Sequence, residues 1–245
     1  MILLAVILAL APQDEAAAKA ALDAYKTTTA KSKDPKAHVD AVNELAKTLH
    51  DKVAAMLGSL LTSEGQEVRI AAAAGLGTFA NPPELRASAA KHLTQALTAG
   101  ANLKLIDVRV AIFAALGSLQ EESSANAVKS HFEDKDPKIA CAAVSAAGAM
   151  KCKSLVKPLI QVLRECERTL NAGAIPPPPP PPIKGKAPPP PVTPQKDTDK
   201  EKKDRAGAVA GAASSALSVL TQQNLKNADE YEKWWIKNRS SFNPK

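Results

Sequence analysis

The sequence predicts an all-α fold, an α-solenoid of about four helical hairpins followed by a C-terminal capping helical segment. Two stretches, 67–77 and 107–117, match each other without a gap at a spacing of forty residues, and self-similarity at such a period is typical of stacked helical pairs. Apolar residues recur at helical spacing in four pairs of segments. No stretch alternates apolar and polar residues as a half-buried strand does.

The repeated motif opens with an acid, continues through Val-Arg and alanines, and closes on Leu-Gly. We interpret the alanines as positions of close helix packing and the Leu-Gly pair as the end of the helix. A third copy is weaker and keeps only the acidic start and the glycine. The motif positions are Glu67, Arg69, Leu76, Gly77, Asp107, Arg109, Leu116, Gly117, Asp136 and Gly148.

Two Asp-Pro pairs mark further helix starts. Asp34-Pro35 and Asp136-Pro137 place an N-cap carboxylate before a proline at the first helical position, where proline loses no hydrogen bond. Each opens the first helix of a hairpin. The second helices are predicted over Asp51–Leu61, Pro83–Ala99, Glu121–Asp134 and Cys152–Leu170.

The N-terminal residues 1–13 contain a ten-residue apolar run with an Ala-x-Ala end. This pattern indicates a signal peptide or a short hydrophobic anchor, although no Lys or Arg precedes the run. It is too short to be a stable membrane span, and the alternative is a first helix packed on the stack. We expect an exported protein, periplasmic or extracellular, and a cytoplasmic one if the run is not a signal. The solenoid is assigned to residues 14–172, and its first helix serves as a cap.

Residues 173–203 are predicted to be a linker, proline-rich at first and then charged and disordered. The proline tract is either a ligand for an aromatic-lined groove or a spacer. Residues 204–245 form a C-terminal helical segment, with a last degenerate repeat as the alternative. Its aromatic residues, Tyr231, Trp234 and Trp235, are expected to cap the stack or to contact a partner.

The net charge of +7 is weak support for nucleic-acid binding, because the excess is not on the folded body. Residues 1–182 carry a balance of only +2, and the rest lies on the linker and the tail. A phosphate-binding face needs clustered cations. We therefore expect no nucleic-acid partner.

The three cysteines have no C-x-x-C spacing, so zinc binding is not predicted. Cys141 and Cys166 would lie at the same end of one hairpin, where a disulfide is geometrically feasible in an oxidising compartment. The alternative is three buried free thiols. Lys151 and Lys153 flank Cys152 and would lower the pKa of its thiol, unless the thiol is packed.

The copies at 67–77 and 107–117 resemble the first helices of HEAT repeats, helical hairpins that stack into α-solenoids. The resemblance covers about residues 34–172. It implies that Arg69 and Arg109 pair with an acid of the adjacent repeat. The acids at the helix starts are Glu67, Asp107 and Asp136. The chain is also similar to exported bacterial HEAT-repeat proteins in which a C-terminal Trp-Trp helix closes the stack.

The function expected from these features is that of a non-enzymatic scaffold, a monomer that binds another protein. No catalytic, metal or cofactor residues are predicted, since no His-Glu pair, G-x-S-x-G elbow or phosphate loop occurs. HEAT-like stacks also include lyases, iron hydroxylases and nucleic-acid-binding proteins. These are the alternatives, and the resemblance alone does not decide between them.

Overall fold

The computed structural model describes residues 15–172 and 196–244, and this part of the chain is helical apart from turns. No strand occurs in it, which confirms the predicted all-α class. Three single 3₁₀ turns, at 100–102, 122–124 and 153–155, connect some of the helices. The α-helices are α1 Glu15–Lys31, α2 Pro35–Leu45, α3 Asp51–Ser63, α4 Gln66–Gly77, α5 Pro83–Thr98, α6 Ile106–Leu119, α7 Ala125–Lys129, α8 Pro137–Ala149, α9 Val156–Asn171, α10 Lys196–Thr221 and α11 Ala228–Asn238.

The helices form two layers, as in a solenoid. In the first layer α2, α4, α6, α8 and α10 each pack on the next, and the second layer contains α3, α5, α7, α9 and α11. Helix α1 packs mainly on α2 and also touches α3, so it covers the first hairpin as predicted. The core runs between the layers and consists mostly of Ala, Leu and Val.

The motif glycines lie where neighbouring first-layer helices approach most closely. A Cβ built on Gly77 would meet the Ala115 backbone at 3.2 Å, and one on Gly117 would meet that of Ala146 at 3.3 Å. A Cβ built on Gly148 would lie 2.7 Å from the Cα of Ala216. Helix α4 ends at Gly77, as the Leu-Gly pair predicted, whereas α6 continues to Leu119, two residues beyond Gly117. The glycine instead removes a side chain at a helix crossing. The preceding Leu76 and Leu116 are fully buried.

Helix α10 is the fifth helix of the first layer, since it packs on α8. Its Ala216 continues the series of glycine contacts, and α11 packs on α9 as a second-layer helix. The turns after α6, α8 and α10 also share one geometry, since Gln120, Lys151 and Gln222 all have φ between 53° and 56°. A left-handed residue is a common way to end a helix. The C-terminal segment therefore continues both layers of the stack.

Two predicted elements differ from the structure. Residues 196–203 were assigned to the disordered linker, but they form the first two turns of α10. Opposite charges four residues apart, such as Asp199 and Lys203, support an exposed helix there. The predicted helix Glu121–Asp134 is reduced to a 3₁₀ turn and the five residues of α7. The side chain of Asp134 accepts the N–H of Asp136, a local bond that competes with helical pairing.

Two predicted features lie outside the described residues: the apolar run in 1–13 and the proline-rich part of the linker, 173–195. Among the helices that the structure does describe, none is long and apolar enough to cross a bilayer.

Candidate binding groove

A groove of about 700 Å³ lies between α9 and the N-terminal half of α10. The turn at 130–135, which follows the short α7, closes one end of it. The groove exists because α7 stops after five residues, so no long second-layer helix fills the space beside α9. A smaller depression continues from it along α9, past Pro158 and Gln161.

Each helix contributes one face to the groove. On α9 the lining residues are Val162, Glu165, Cys166 and Thr169, and on α10 they are Lys202, Arg205, Ala206 and Val209. Both sets follow the spacing i, i+3, i+4, i+7, which places them on one side of a helix. The floor is apolar and its residues are mostly buried, as are Phe132, Cys166, Ala206 and Val209.

The rim carries charges of both signs. Glu133 and Lys135 project from the closing turn, Glu165 from α9 and Lys202 from α10, and all four are exposed. An apolar floor with a mixed polar rim is the usual anatomy of a protein-binding surface. The arrangement therefore suits a partner segment with one apolar face and charged flanks.

The end wall of the groove is held by a buried ion pair. The Arg109 guanidinium donates to Asp134 at 2.8 Å and contacts His131 Nδ1 at 3.3 Å. The ring of His131 stacks edge-on against Phe113 at 5.4 Å. The backbone carbonyl of Asp134 accepts a bond from Arg205 at 2.7 Å. One turn is thus fixed to both α6 and α10.

Burial and the nearby charges shift the pKa values of Asp134 and His131 in this wall. Burial acts to raise the pKa of Asp134, but the Asp136 N–H and Arg109 outweigh it, and the pKa is lowered. Burial and the Arg109 charge lower the pKa of His131. At neutral pH the wall therefore holds an ionised carboxylate beside a neutral imidazole.

The two motif arginines do not behave alike. Arg109 pairs with an acid, but that acid is Asp134, which lies just before the fourth hairpin and is not one of the predicted helix-start acids. For Arg69 the implied acid pair is wrong. It donates to the carbonyls of Thr62, Glu64 and Ala101 and to the Asn102 side chain. A guanidinium has five donors and satisfies the free carbonyls at the end of α3.

The predicted acids have other contacts. Asp136 caps α8 by accepting the N–H groups of Lys138 and Ile139. Asp107 accepts a bond from Gln66 of the preceding hairpin at 3.3 Å. Glu67 lies in the first turn of α4, where a negative charge favours the helix dipole. These residues position the stack, and none lines the groove.

All three cysteines are free thiols in the structure, so the pairing of Cys141 with Cys166 stays a prediction. Both thiols lie near Arg205, whose charge partly offsets the effect of burial on their pKa values. Cys152 is buried, which agrees with the packed-thiol alternative and not with activation by Lys151 and Lys153. Burial and the nearby Glu122 and Glu121 raise the pKa of Cys152 to about 11.

The C-terminal aromatic residues take different positions. Tyr231 is fully buried and its hydroxyl donates to the Gln223 carbonyl at 3.0 Å. Trp235 packs partly on the core. Trp234 is half-buried and contacts Trp235 and Phe242. Of the three, Tyr231 alone is fully buried, so it is the residue that covers the C-terminal end of the stack.

Sequence reasoning missed the groove, although one of its lining residues, Cys166, was named as a possible disulfide partner. Phe132 was placed on a long helix that does not form, and Lys202 was placed in the linker. Arg205 was included in the tail helix without a partner. The one available signal was Asp134-Lys135-Asp136-Pro137, since Asp residues before a helix start favour turns.

The described residues contain no group of three or more His, Cys, Asp or Glu side chains able to hold a metal ion. No protein-family model matches this chain, and no curated protein is significantly similar to it.

Proposed function

We propose that the protein is a non-enzymatic scaffold of HEAT-like repeats that binds another protein in the groove between α9 and α10. The observation that carries this proposal is the buried apolar floor under a rim of exposed charges. Short amphipathic segments bind in this way, with their apolar face in the groove and their polar residues at its edges.

The HEAT-like assignment rests on the two motif copies and on their equivalent positions in the stack. Gly77 and Gly117 each contact the next first-layer helix. We propose that the protein acts outside the cytoplasm, and the support for this is the apolar run in residues 1–13. The N-terminal mass of the protein purified from its native cells tests export. Cleavage near Ala11 supports it, and an intact Met1 contradicts it.

Filling the groove tests the binding function. Thr169→Trp places a large ring among the lining residues, whereas Leu170→Trp is a matched control one residue away. Leu170 is 40% exposed and does not line the groove. The immobilised full chain would be used to capture proteins from the exported fraction of the native cells, with identification by mass spectrometry.

We expect at least one captured protein to bind the unmodified chain and the Leu170→Trp variant equally. The same protein should lose about tenfold or more of its affinity for Thr169→Trp, since an occluded pocket removes the central contacts of an interface. A partner set that is identical for both variants, or empty for the unmodified chain, would contradict the proposal.

A further inference from the structure

Helix α11 has two chemically different halves. Its acids lie in the first half, where Asp229 and Glu232 pair with Arg164 of α9 at 3.1 and 2.9 Å. Glu230 accepts the backbone N–H of Lys226 at 2.9 Å. From residue 233 to the end, the sequence holds four cations and no acid. The first half of the helix is thus attached to the stack, and the region from residue 233 onward carries net positive charge.

The positively charged region from residue 233 onward also contains an aromatic cluster. The rings of Trp234 and Phe242 are 5.3 Å apart, and those of Trp235 and Phe242 are 5.8 Å apart. All three side chains remain partly exposed. Ile236 beside them is 58% exposed. Since Trp235 and Phe242 also contact the core, the cluster is fixed in place.

The exposed cations surround this apolar patch. Lys233, Lys237 and Arg239 are exposed, and none of them forms an ion pair with any residue in 15–172 or 196–244. We call these three cations, together with Trp234 and Ile236, the α11 surface. Exposed apolar side chains thus lie among cations that have no ion-pair partner in the described part of the chain. A binding surface without negative charge would leave these cations unpaired.

We propose that the α11 surface binds the headgroup region of a bilayer that contains anionic lipid. Trp is amphipathic and favours the membrane interface, Ile236 supplies an apolar side chain to insert, and the cations attract the lipid charge. The patch has one large exposed aliphatic residue, whereas a standard protein interface buries about 800 Å² on each partner. A bilayer needs no complementary shape, so a small patch suffices for it.

This binding is independent of the groove, because no residue of the α11 surface lines it. Anchoring through α11 would leave the groove free for a protein partner. The two proposals therefore fail or succeed separately.

Tryptophan fluorescence tests the proposal, because Trp234 and Trp235 are the only tryptophans of the chain. The full chain would be titrated with neutral phosphatidylcholine vesicles and with vesicles enriched in phosphatidylglycerol. We expect a blue shift with the anionic vesicles only, reversed by salt. Sedimentation alone would also detect binding through the apolar run at 1–13, which the fluorescence does not report.

Substitutions separate the contribution of the cations from that of the apolar side chain. Each of Lys233→Gln, Lys237→Gln and Arg239→Gln should weaken vesicle binding about fivefold. Ile236→Ser should weaken it by a similar factor, whereas Val219→Ser should leave it unchanged. Val219 is a matched control because it is 59% exposed on α10. All are exposed positions, where substitutions usually change stability little.

Three results would overturn the proposal. The first is the absence of a blue shift with anionic vesicles at low salt. The second is equal binding to neutral and anionic vesicles. The third is a shift caused by polyglutamate but not by vesicles, which would assign the surface to an acidic polypeptide.

Discussion

At the residue scale, the repeated glycine is the clearest case of a position whose role depends on the next repeat. The sequence identifies Gly77, Gly117 and Gly148 as equivalent. It does not say what they touch, because the contact is with a helix some thirty to seventy residues further along the chain. Interpreted locally, Leu-Gly suggested a helix end. In the stack, the same glycine allows two helix backbones to approach.

Gly148→Ala and Gly207→Ala form a matched pair that tests this role. The new Cβ at 148 would lie 2.7 Å from the Cα of Ala216, whereas at 207 nothing lies within 4 Å. Overpacking should lower the free energy of unfolding of Gly148→Ala by about 1–3 kcal/mol. Gly207→Ala, in a helix interior, should raise it by about 0.5–1 kcal/mol. Urea denaturation measures both, and equal effects of the two changes would contradict the close approach.

Burial should also separate the three thiols by reactivity. Cys152 is buried and its pKa is raised to about 11, whereas Cys141 is only partly buried. We expect iodoacetamide at pH 8 to label Cys141 of the reduced native protein at least about tenfold faster than Cys152, because the thiolate is the reactive form. Peptide mass spectrometry measures the rates, with urea-denatured protein as the control. Faster labelling of Cys152 than of Cys141 would contradict this expectation and favour activation by Lys151 and Lys153.

At the scale of elements, helices with strong caps and regular apolar spacing were predictable. Helix α2 and helix α8 begin at the prolines that the Asp-Pro pairs indicated. The failures have local causes. The segment after Lys129 forms turns because Asp134 bonds to Asp136 and to Arg109. The start of α10 has no apolar residue, so its helix is visible only as a pattern of charges.

The ion pairs of Arg164 attach α11 to α9, and a neighbouring arginine provides the control. Arg164 bridges to Asp229 and Glu232 across the two helices, whereas Arg168 pairs only with Glu165 on its own helix. Arg164→Ala should lower the free energy of unfolding by up to about 1 kcal/mol, and Arg168→Ala by less than about half of that. Thermal denaturation at low and high salt checks the difference. A larger loss from Arg168→Ala would mean that α11 is not held in this way.

At the scale of the whole molecule, the sequence identified the stack but not the groove. Two facts about distant segments were needed: that α10 packs on α8 and α9, and that α7 is short. A proline-rich stretch separates α9 from α10 in sequence, so the sequence did not indicate that these two helices lie side by side. The packing of α10 on α8, with Ala216 beside Gly148, agrees with the prediction that the C-terminal segment caps the stack.

The central claim is that α10 extends the first layer of the stack and forms one wall of the groove, and that α11 extends the second layer. A protease site inserted between Gly185 and Lys186 tests it, because it allows the chain to be cut before α10. The cut protein would then be analysed by gel filtration and circular dichroism. We predict that the two pieces co-elute at the volume of the intact chain with unchanged helicity, and that Gly148→Leu weakens their association. Separation of the 186–245 piece from the cut protein without this substitution would contradict the claim.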